Sequence, residues 1–464
     1  MSVGGTRPTY PAVPAHLTLS VDMQGFFRVT NFVSSIRPLY YVSRVLGLAP
    51  FSFTSNFAVK EIGPFWLLYT VVILIAVLIC STISLVQRVK EAGLLVAVVV
   101  NEILMMFLGG LTAFSSILIS ITRNGVKSRS IVSKVIKIDK ELLNDSSTTY
   151  TKTIIFTLIQ VIFIYCYITV LFTYDTLVWT AAAEKVSVFY CIISYPHRLV
   201  NLETVVEFCD LVLLLISRLK ALNSRLSVIL TISNETYVNP FVFTTASCHS
   251  IPTSFVRENG ISVSEINHDK TVPFIESPQS VNRHQPLRFK ISQQRNIRSA
   301  RELYDDLCDI SVLINSMYGF QILLEVGVAT VELTLTSYLM LATVLRVFAM
   351  EAVTFGRFLC LMMAWLLLYA VKLISITAPC QSATGEVENT VMLVQKLLLA
   401  GFDQNSMAEL QLFSHQLLQR KINFTAFGFL RLDYSLLLTI IGGAVTYVVI
   451  AMQFNNKSID VGHN

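Results

Sequence analysis

Charge is what this chain lacks most. Only 14% of its 464 residues are Asp, Glu, Lys or Arg, while 53% are apolar, and the mean hydropathy is +0.62. An ordinary soluble domain carries about 25% charged residues, so this composition excludes that class and points to a membrane. No P-loop, H-E-x-x-H or G-x-S-x-G motif occurs, and no nucleophile–base or metal-binding constellation stands out, which argues against an enzyme. The first sixty residues hold no basic stretch leading into an apolar run. No cleavable signal peptide is therefore expected, and the first membrane helix is expected to act as the insertion signal.

The eight cysteines do not make a framework. Cys80, Cys166, Cys209 and Cys360 fall in apolar runs, Cys308 and Cys380 at inner ends, and Cys248 in a large inner loop. Cys191 alone belongs to an outer loop, which excludes an extracellular disulfide scaffold. His249 and His268 near Cys248 lack zinc-finger spacing, so neither a metal nor a cofactor is expected. No feature suggests nucleic acid as a partner.

What is present is a series of apolar runs of about 20 residues, each long enough to cross a bilayer. Seven are read, near 63–86, 92–121, 152–174, 197–217, 315–345, 355–378 and 432–454. Arg198, Glu203, Glu207 and Asp210 interrupt the fourth, and the apolar patch Val178–Tyr195 reads as a packed outer loop. Lys and Arg divide unevenly between alternate segments, twenty-seven on one side and seven on the other, with Lys372 inside a span. The positive-inside rule then places the N-terminus in the cytoplasm and the C-terminus outside, the reverse of a G-protein-coupled receptor.

The fold class expected is an all-α membrane protein of seven transmembrane helices. Residues 1–62 are expected to form a cytoplasmic N-terminal segment, in which the stretch 38–48, with Tyr40, Val42 and Leu46, suits an amphipathic helix at the inner interface. Residues 63–230 hold spans one to four with a cytoplasmic extension, 231–298 a mobile inner loop, and 299–464 spans five to seven. The stretch Val238–Gln294 is rich in Ser, Thr, Asn and Pro and is expected to be disordered. Leu219, Leu222, Leu226, Val228 and Ile229 keep helical spacing beyond the fourth span, and 411–422 reads as a cytoplasmic amphipathic helix. No internal repeat is found, which disfavours an inverted-repeat transporter.

Polar residues within spans mark functional candidates by default. On the last helix Tyr447, Ile450 and Phe454 share one face, and Gly442, Thr446 and Gln453 another. Two readings fit: a buried helix whose polar groups pair with neighbours, or a pore helix that packs by one face and lines an axial path by another. In the second, Phe454 closes the path by dewetting and Gln453 offers its amide when the helix turns. One helix makes no pore, so this reading requires a symmetric oligomer. On the fifth and sixth spans, Thr336, Tyr338 and Trp365 fall at similar depth, about 15 Å below the outer surface. A phenol, an indole and a hydroxyl there suit a small polyol, and they also suit plain aromatic packing. Glu332 and Arg198 fit either a pocket or a structural ion pair. Asn101, Glu102 and Lys372 are expected to satisfy one another or nearby backbone, with Lys372 within reach of the inner headgroups.

The ending Thr446-Tyr447-x5-Gln453-Phe454 resembles the signature of insect gustatory receptors. Tyr41-Val42-Ser43-Arg44-Val45-Leu46-Gly47-Leu48-Ala49-Pro50 is similar to the segment ahead of the first span in the fructose-type branch. Leu222-Asn223-x-Arg225-Leu226, Asn315-Ser316 with Gly319, and Pro379-Cys380 agree with the same resemblance. It implies a homotetrameric ligand-gated cation channel in the plasma membrane of chemosensory neurons, with the last helix of each subunit lining a central pore. It also implies a ligand pocket in the outer half of each subunit, here Thr336, Tyr338 and Trp365, and a gate at Gln453 and Phe454. The fructose-type pattern has Gln three residues before the Trp, whereas this chain has Met362, a loss that weakens fructose itself as ligand. A sugar or polyol is the expected tastant; a bitter plant metabolite and, in another class, a G-protein-coupled receptor are the alternatives.

Overall fold

Apolar runs fold as helices in a bilayer because a helix satisfies every backbone N–H and C=O within the segment. The computed structural model of the chain describes residues 32–49, 52–53, 59–60, 63–90, 96–143, 146–182, 188–238, 284–345 and 352–461. The short helices α1 (Phe32–Ser35) and α2 (Arg37–Val45) lead into α3 (Pro64–Lys90) and α4 (Val96–Ile119). A π-helical turn, Ser120–Asn124, joins α4 to α5 (Gly125–Leu142). Then come α6 (Ser146–Ala182), α7 (Val188–Ile193), α8 (Pro196–Val238), α9 (His284–Val344), α10 (Ala352–Leu399), α11 (Gln404–Gln419) and α12 (Tyr434–Val461).

Among the described residues, six helices are long and apolar enough to cross a membrane: α3, α4, α6, α9, α10 and α12. The seventh, α8, is a single unbroken helix through the carboxylates that interrupt its hydropathy. Those carboxylates turn inward. Ser43 Oγ and Tyr165 Oη donate to Glu203 at 2.8 and 3.0 Å, and Tyr318 Oη donates to Glu207 at 2.9 Å.

Several helices outrun the spans read from hydropathy. α9 begins at His284 rather than 315, α10 continues to Leu399 rather than 378, and α6 runs to Ala182. The patch expected as an outer loop is helical over Val178–Ala182 and again in α7, and Val178, Trp179 and Tyr195 are buried. Of the expected disordered stretch, residues 284–294 belong to α9, and 239–283 lie outside the described residues. Hydropathy stops where charge begins, but helix does not, because the charges pair between helices. Lys134 reaches Asp306 and Asp309 at 2.9 Å, Lys137 reaches Asp306 at 2.8 Å, and Arg301 reaches Glu409 at 3.3 Å. The hydrogen bond to Asp306 holds the Lys137 ammonium above its ordinary range. Such pairs, half-buried to exposed at the rim of the bundle, contribute about 1 kcal/mol or less each, so packing must supply the rest.

The main core lies in this inner half. Leu215, Leu219, Leu222 and Leu226 on α8 are fully buried against Ile297, Leu303, Tyr304 and Ile314 of α9. Ile376, Ala383, Val394 and Leu397 of α10 and Leu410, Phe413 and Leu417 of α11 complete it. Where water surrounds the bundle, each buried Leu stabilises by about 1.5–3 kcal/mol. Within lipid that gain vanishes, and close packing and hydrogen bonds take over. Pro379 sits inside α10 and leaves the Ser375 carbonyl without its helical donor. Cys209 Sγ of α8 donates to that carbonyl at 2.9 Å, so the helix-breaking residue is answered from the neighbouring helix.

A small hairpin connects the inner core to α12. Strands β1 (Thr425–Ala426) and β2 (Leu430–Arg431) pair antiparallel across a turn in which Phe427 (φ 53°) and Gly428 (φ 79°) are left-handed. The hairpin is clipped to α9. Asn315 Nδ2 donates to the Asn423 carbonyl at 2.7 Å, and Asn315 Oδ1 accepts from Thr425 N at 3.3 Å. Gly319 allows the close approach, since a Cβ there would lie 3.1 Å from the Phe427 nitrogen.

Candidate functional site

The first turn of α8 begins at Pro196, suited to the first helical position, and so directs His197, Arg198 and Asn201 into the outer half of the bundle. They line a small cavity with Gly109 of α4, Phe172 of α6, Glu332 of α9 and Trp365, Tyr369 and Lys372 of α10. Gly109 is required by this arrangement: a Cβ there would come within 2.8 Å of the His197 ring. Its carbonyl accepts from Asn201 Nδ2 at 3.0 Å. Two buried polar atoms of residues in the cavity wall, His197 Nδ1 and Asn201 Oδ1, have no hydrogen-bond partner.

Aromatic rings roof the cavity. Trp365 stacks on Tyr369 (5.7 Å between centroids), and Phe172 stacks on Tyr195 at 4.0 Å. Asp175 ties the two pairs together, accepting from Trp365 Nε1 at 3.2 Å and from Tyr195 Oη at 2.8 Å. The Arg198 guanidinium covers the indole face, 4.3 Å from its centroid, a cation–π contact that occupies a surface a ligand would otherwise stack on. The space left is about 30 Å³, room for a water or two and about tenfold below the roughly 300–1,000 Å³ of small-molecule pockets. Accommodating a larger ligand requires side chains to move.

Of the six residues singled out from sequence, Arg198, Glu332 and Trp365 line the cavity. Thr336 is buried on α9 outside its lining, while Tyr338 and Met362 pack in the aromatic cluster around Trp365. Sequence reasoning passed over His197, Asn201, Phe172 and Tyr369. Their signal was the polar run opening the fourth span, which reads as an interruption of hydropathy and is the polar wall of a cavity. Lys372 does not reach toward headgroups. It forms an ion pair with the fully buried Glu325 of α9, because a closer carboxylate is available within the bundle. The side chains of Asn101 and Glu102 lie outside the described residues. Cys80, Cys166, Cys209, Cys308, Cys360 and Cys380 are free thiols.

The last helix is capped by Asp433, whose Oδ1 accepts from Ser435 N and Leu436 N at 3.1 and 3.3 Å. The hydrogen bond from the Ser435 hydroxyl is the main reason the Asp433 carboxyl sits below its ordinary range. α12 packs on α9 and α10 by one stripe, Leu436, Ile440, Ala444 and Met452. Thr446, Tyr447, Ile450 and Gln453 are exposed on the single chain, with Tyr447 at 71%. Thr446 Oγ1 donates back to the Gly442 carbonyl at 2.9 Å. Phe454 continues the helix, and its side chain lies outside the described residues.

The 7tm chemosensory receptor family model matches residues 36–457, nearly the whole described chain. Gustatory receptor 28b of Drosophila melanogaster is 31% identical over 171 residues, 36% of this chain and 36% of that protein. Gustatory receptor 28a of the same species is 27% identical over 169 residues, 36% of this chain and 37% of that protein. The matched stretch thus spans little more than a third of each relative's length. The solved insect olfactory receptor OR5 from Machilis hrabei superposes with a TM-score of 0.60 over 91% of this chain and 98% of that chain, at 12% identity. The same receptor in complex with eugenol superposes equally well. With this helix order, an inner core, an outer cavity and a last helix packed by one stripe, the chain has the insect chemoreceptor fold and belongs to the 7tm chemosensory receptor family, with insect gustatory receptors as its sequence relatives.

Proposed function

We propose that this chain is a gustatory receptor that acts as a ligand-gated, non-selective cation channel, a homotetramer whose four copies of α12 surround the pore. Its place is the plasma membrane of a taste or nutrient-sensing neuron, where cation entry depolarises the cell. The exposure of Thr446, Tyr447, Ile450 and Gln453 on α12 supports the assembly. An amide such as that of Gln453, or the hydroxyl of Tyr447, is costly against lipid, whereas symmetry-related copies and a water-filled path would accept it.

The ligand proposed is a sugar or polyol, bound in the outer cavity. One observation carries this reading: His197 Nδ1 and the acceptor Asn201 Oδ1 are buried polar atoms without partners, beneath a roof of aromatic rings. Hydroxyl groups satisfy such atoms, and C–H faces of a polyol suit the rings. Trp365, Glu332 and Arg198 would contact the ligand directly, with Thr336, Tyr338 and Met362 shaping the roof behind them. A second reading has its own support. Arg198 already covers the Trp365 face, Met362 packs in the apolar cluster behind it, and the similar receptor OR5 is solved with the small molecule eugenol, so an apolar plant metabolite is the alternative ligand.

The test is a ligand panel on cells expressing only this chain, read as whole-cell current and calcium entry with G-protein signalling blocked. A sugar or polyol should open a cation current under that block. A current evoked only by apolar metabolites would keep the channel and reject the polyol, and loss of every response under the block would reject the channel.

A further inference from the structure

A second, larger cavity of about 410 Å³ opens in the inner half, walled by α1, α2, α5, α6, α8 and α9. Its volume falls within the roughly 300–1,000 Å³ of small-molecule sites, and most of its wall is apolar, with Phe32, Ile131, Phe156 and Leu214 among the lining. It shares no residue with the outer cavity.

The wall also carries Glu207 and Asp210, one turn apart on α8. Neither forms a salt bridge among the described residues. Tyr318 Oη donates to Glu207, and Gln160 Nε2 donates to Asp210 Oδ1 at 3.0 Å. That leaves Asp210 Oδ2, in the cavity wall, and Gln160 Oε1, on a neighbouring side chain outside the lining, as buried acceptors with no donor. The basic residues of the cavity form no bond to them: Arg218, two turns further in on α8, is bound by Asp139 at 3.0 and 2.9 Å, and Lys152 is exposed on the surface of the chain. A carboxylate oxygen lacking a donor, in the wall of an apolar chamber, matches a group that is both positively charged and a hydrogen-bond donor.

We infer that this cavity is a second ligand site, for an amphipathic organic cation. A protonated amine would bind Asp210 Oδ2 while its apolar body fills the space between α2, α6 and α8. The site is independent of the outer cavity and of the ligand proposed there.

The experiment uses the full chain in phosphatidylcholine nanodiscs and a diazirine-bearing phenylalkylamine as photoprobe, competed by phenylbutylamine, phenylbutanol or phenylbutyrate. The amine should compete at least about tenfold better than the alcohol, the charge-dependent part of the affinity, and the acid should compete worst. Cross-links should map to α6 or α8 around Phe156 and Leu214. In Asp210→Asn the preference for amine over alcohol should vanish, while Trp365→Ala, which alters the outer cavity, should leave it unchanged. Equal competition by amine and alcohol in the unaltered chain would overturn the proposal, as would a preference that survives in a folded Asp210→Asn chain. Should that variant not fold, Leu214→Trp, which fills the apolar chamber, must abolish labelling, and labelling that persists would sink the idea.

Discussion

Lys372 of α10 and Glu325 of α9 form an ion pair inside the bundle, with the Glu325 side chain fully buried and the Lys372 side chain 10% exposed. Removing one partner strands the other in a medium that cannot solvate it. Lys372→Met should therefore destabilise the receptor by about 3–5 kcal/mol, and adding Glu325→Gln should recover much of the loss. Thermal unfolding of the detergent-solubilised protein, with surface expression alongside, checks both. Equal stability of Lys372→Met and the unaltered chain would mean that the pair holds nothing.

The charge asymmetry predicts an N-terminus in the cytoplasm and a C-terminus outside. A C-terminal tag should be labelled on intact cells and an N-terminal tag only after permeabilisation. The reverse pattern would return the chain to the orientation of a G-protein-coupled receptor.

Trp365 holds the roof of the outer cavity by its N–H bond to Asp175 and its contact with Arg198. Trp365→Ala should abolish the response to the best sugar or polyol at normal surface expression. Tyr338→Phe should shift its dose–response curve by about 1–3 kcal/mol if the phenol contacts the ligand, and leave it in place if Tyr338 only packs. Asn201→Leu, which removes the unpartnered Oδ1 together with the Nδ2 bond to the Gly109 carbonyl, should favour apolar ligands over polyols at equal surface expression.

On α12, Gln453→Ala should change conductance or gating, and Phe454→Ala should raise basal current by weakening a hydrophobic closure. Single-channel recording of well-expressed variants checks this. Normal currents in both would remove these residues from the gate.

The Asp433 cap gives a pH dependence of known sign. Its carboxyl is held below the ordinary value, so its contribution to α12 is present above the pH at which an unfolded Asp titrates, about 3.9, and is lost as pH falls through the lower folded value. Asp433→Ala should remove that dependence and lower thermal stability by about 0.5–1 kcal/mol at neutral pH, since the cap is largely exposed. Melting curves at several pH values for the two proteins provide the comparison.

The spanning helices are legible in sequence because lipid tolerates no other backbone arrangement, and a run such as Tyr434–Gln453 announces itself by hydropathy alone. What hydropathy hides is pairing. The charges at Lys134, Asp306 and Asp309 that seem to end a span are matched on a neighbouring helix, so α9 continues inward by some thirty residues beyond its expected start at 315. The candidate site was legible only as residue types. Trp365 announces itself as an intramembrane indole, but its partner Asp175 lies 190 positions away, and no periodicity links them. His197 and Asn201 escaped notice because a polar group in a span looks like a defect until the cavity it faces is seen.

The hairpin ahead of α12 has no independent footing, since Asn315 and Gly319 fasten it to α9. Glu332, in the wall of the outer cavity, stands on that same uninterrupted helix, about 20 Å further out at 1.5 Å per residue. A helix transmits twist and thrust along its axis with little loss, so α9 acts as a connecting rod. Whatever turns or lifts it at Glu332 is delivered to α12 twice over, through the hairpin held by Asn315 and through the stripe on which α12 packs.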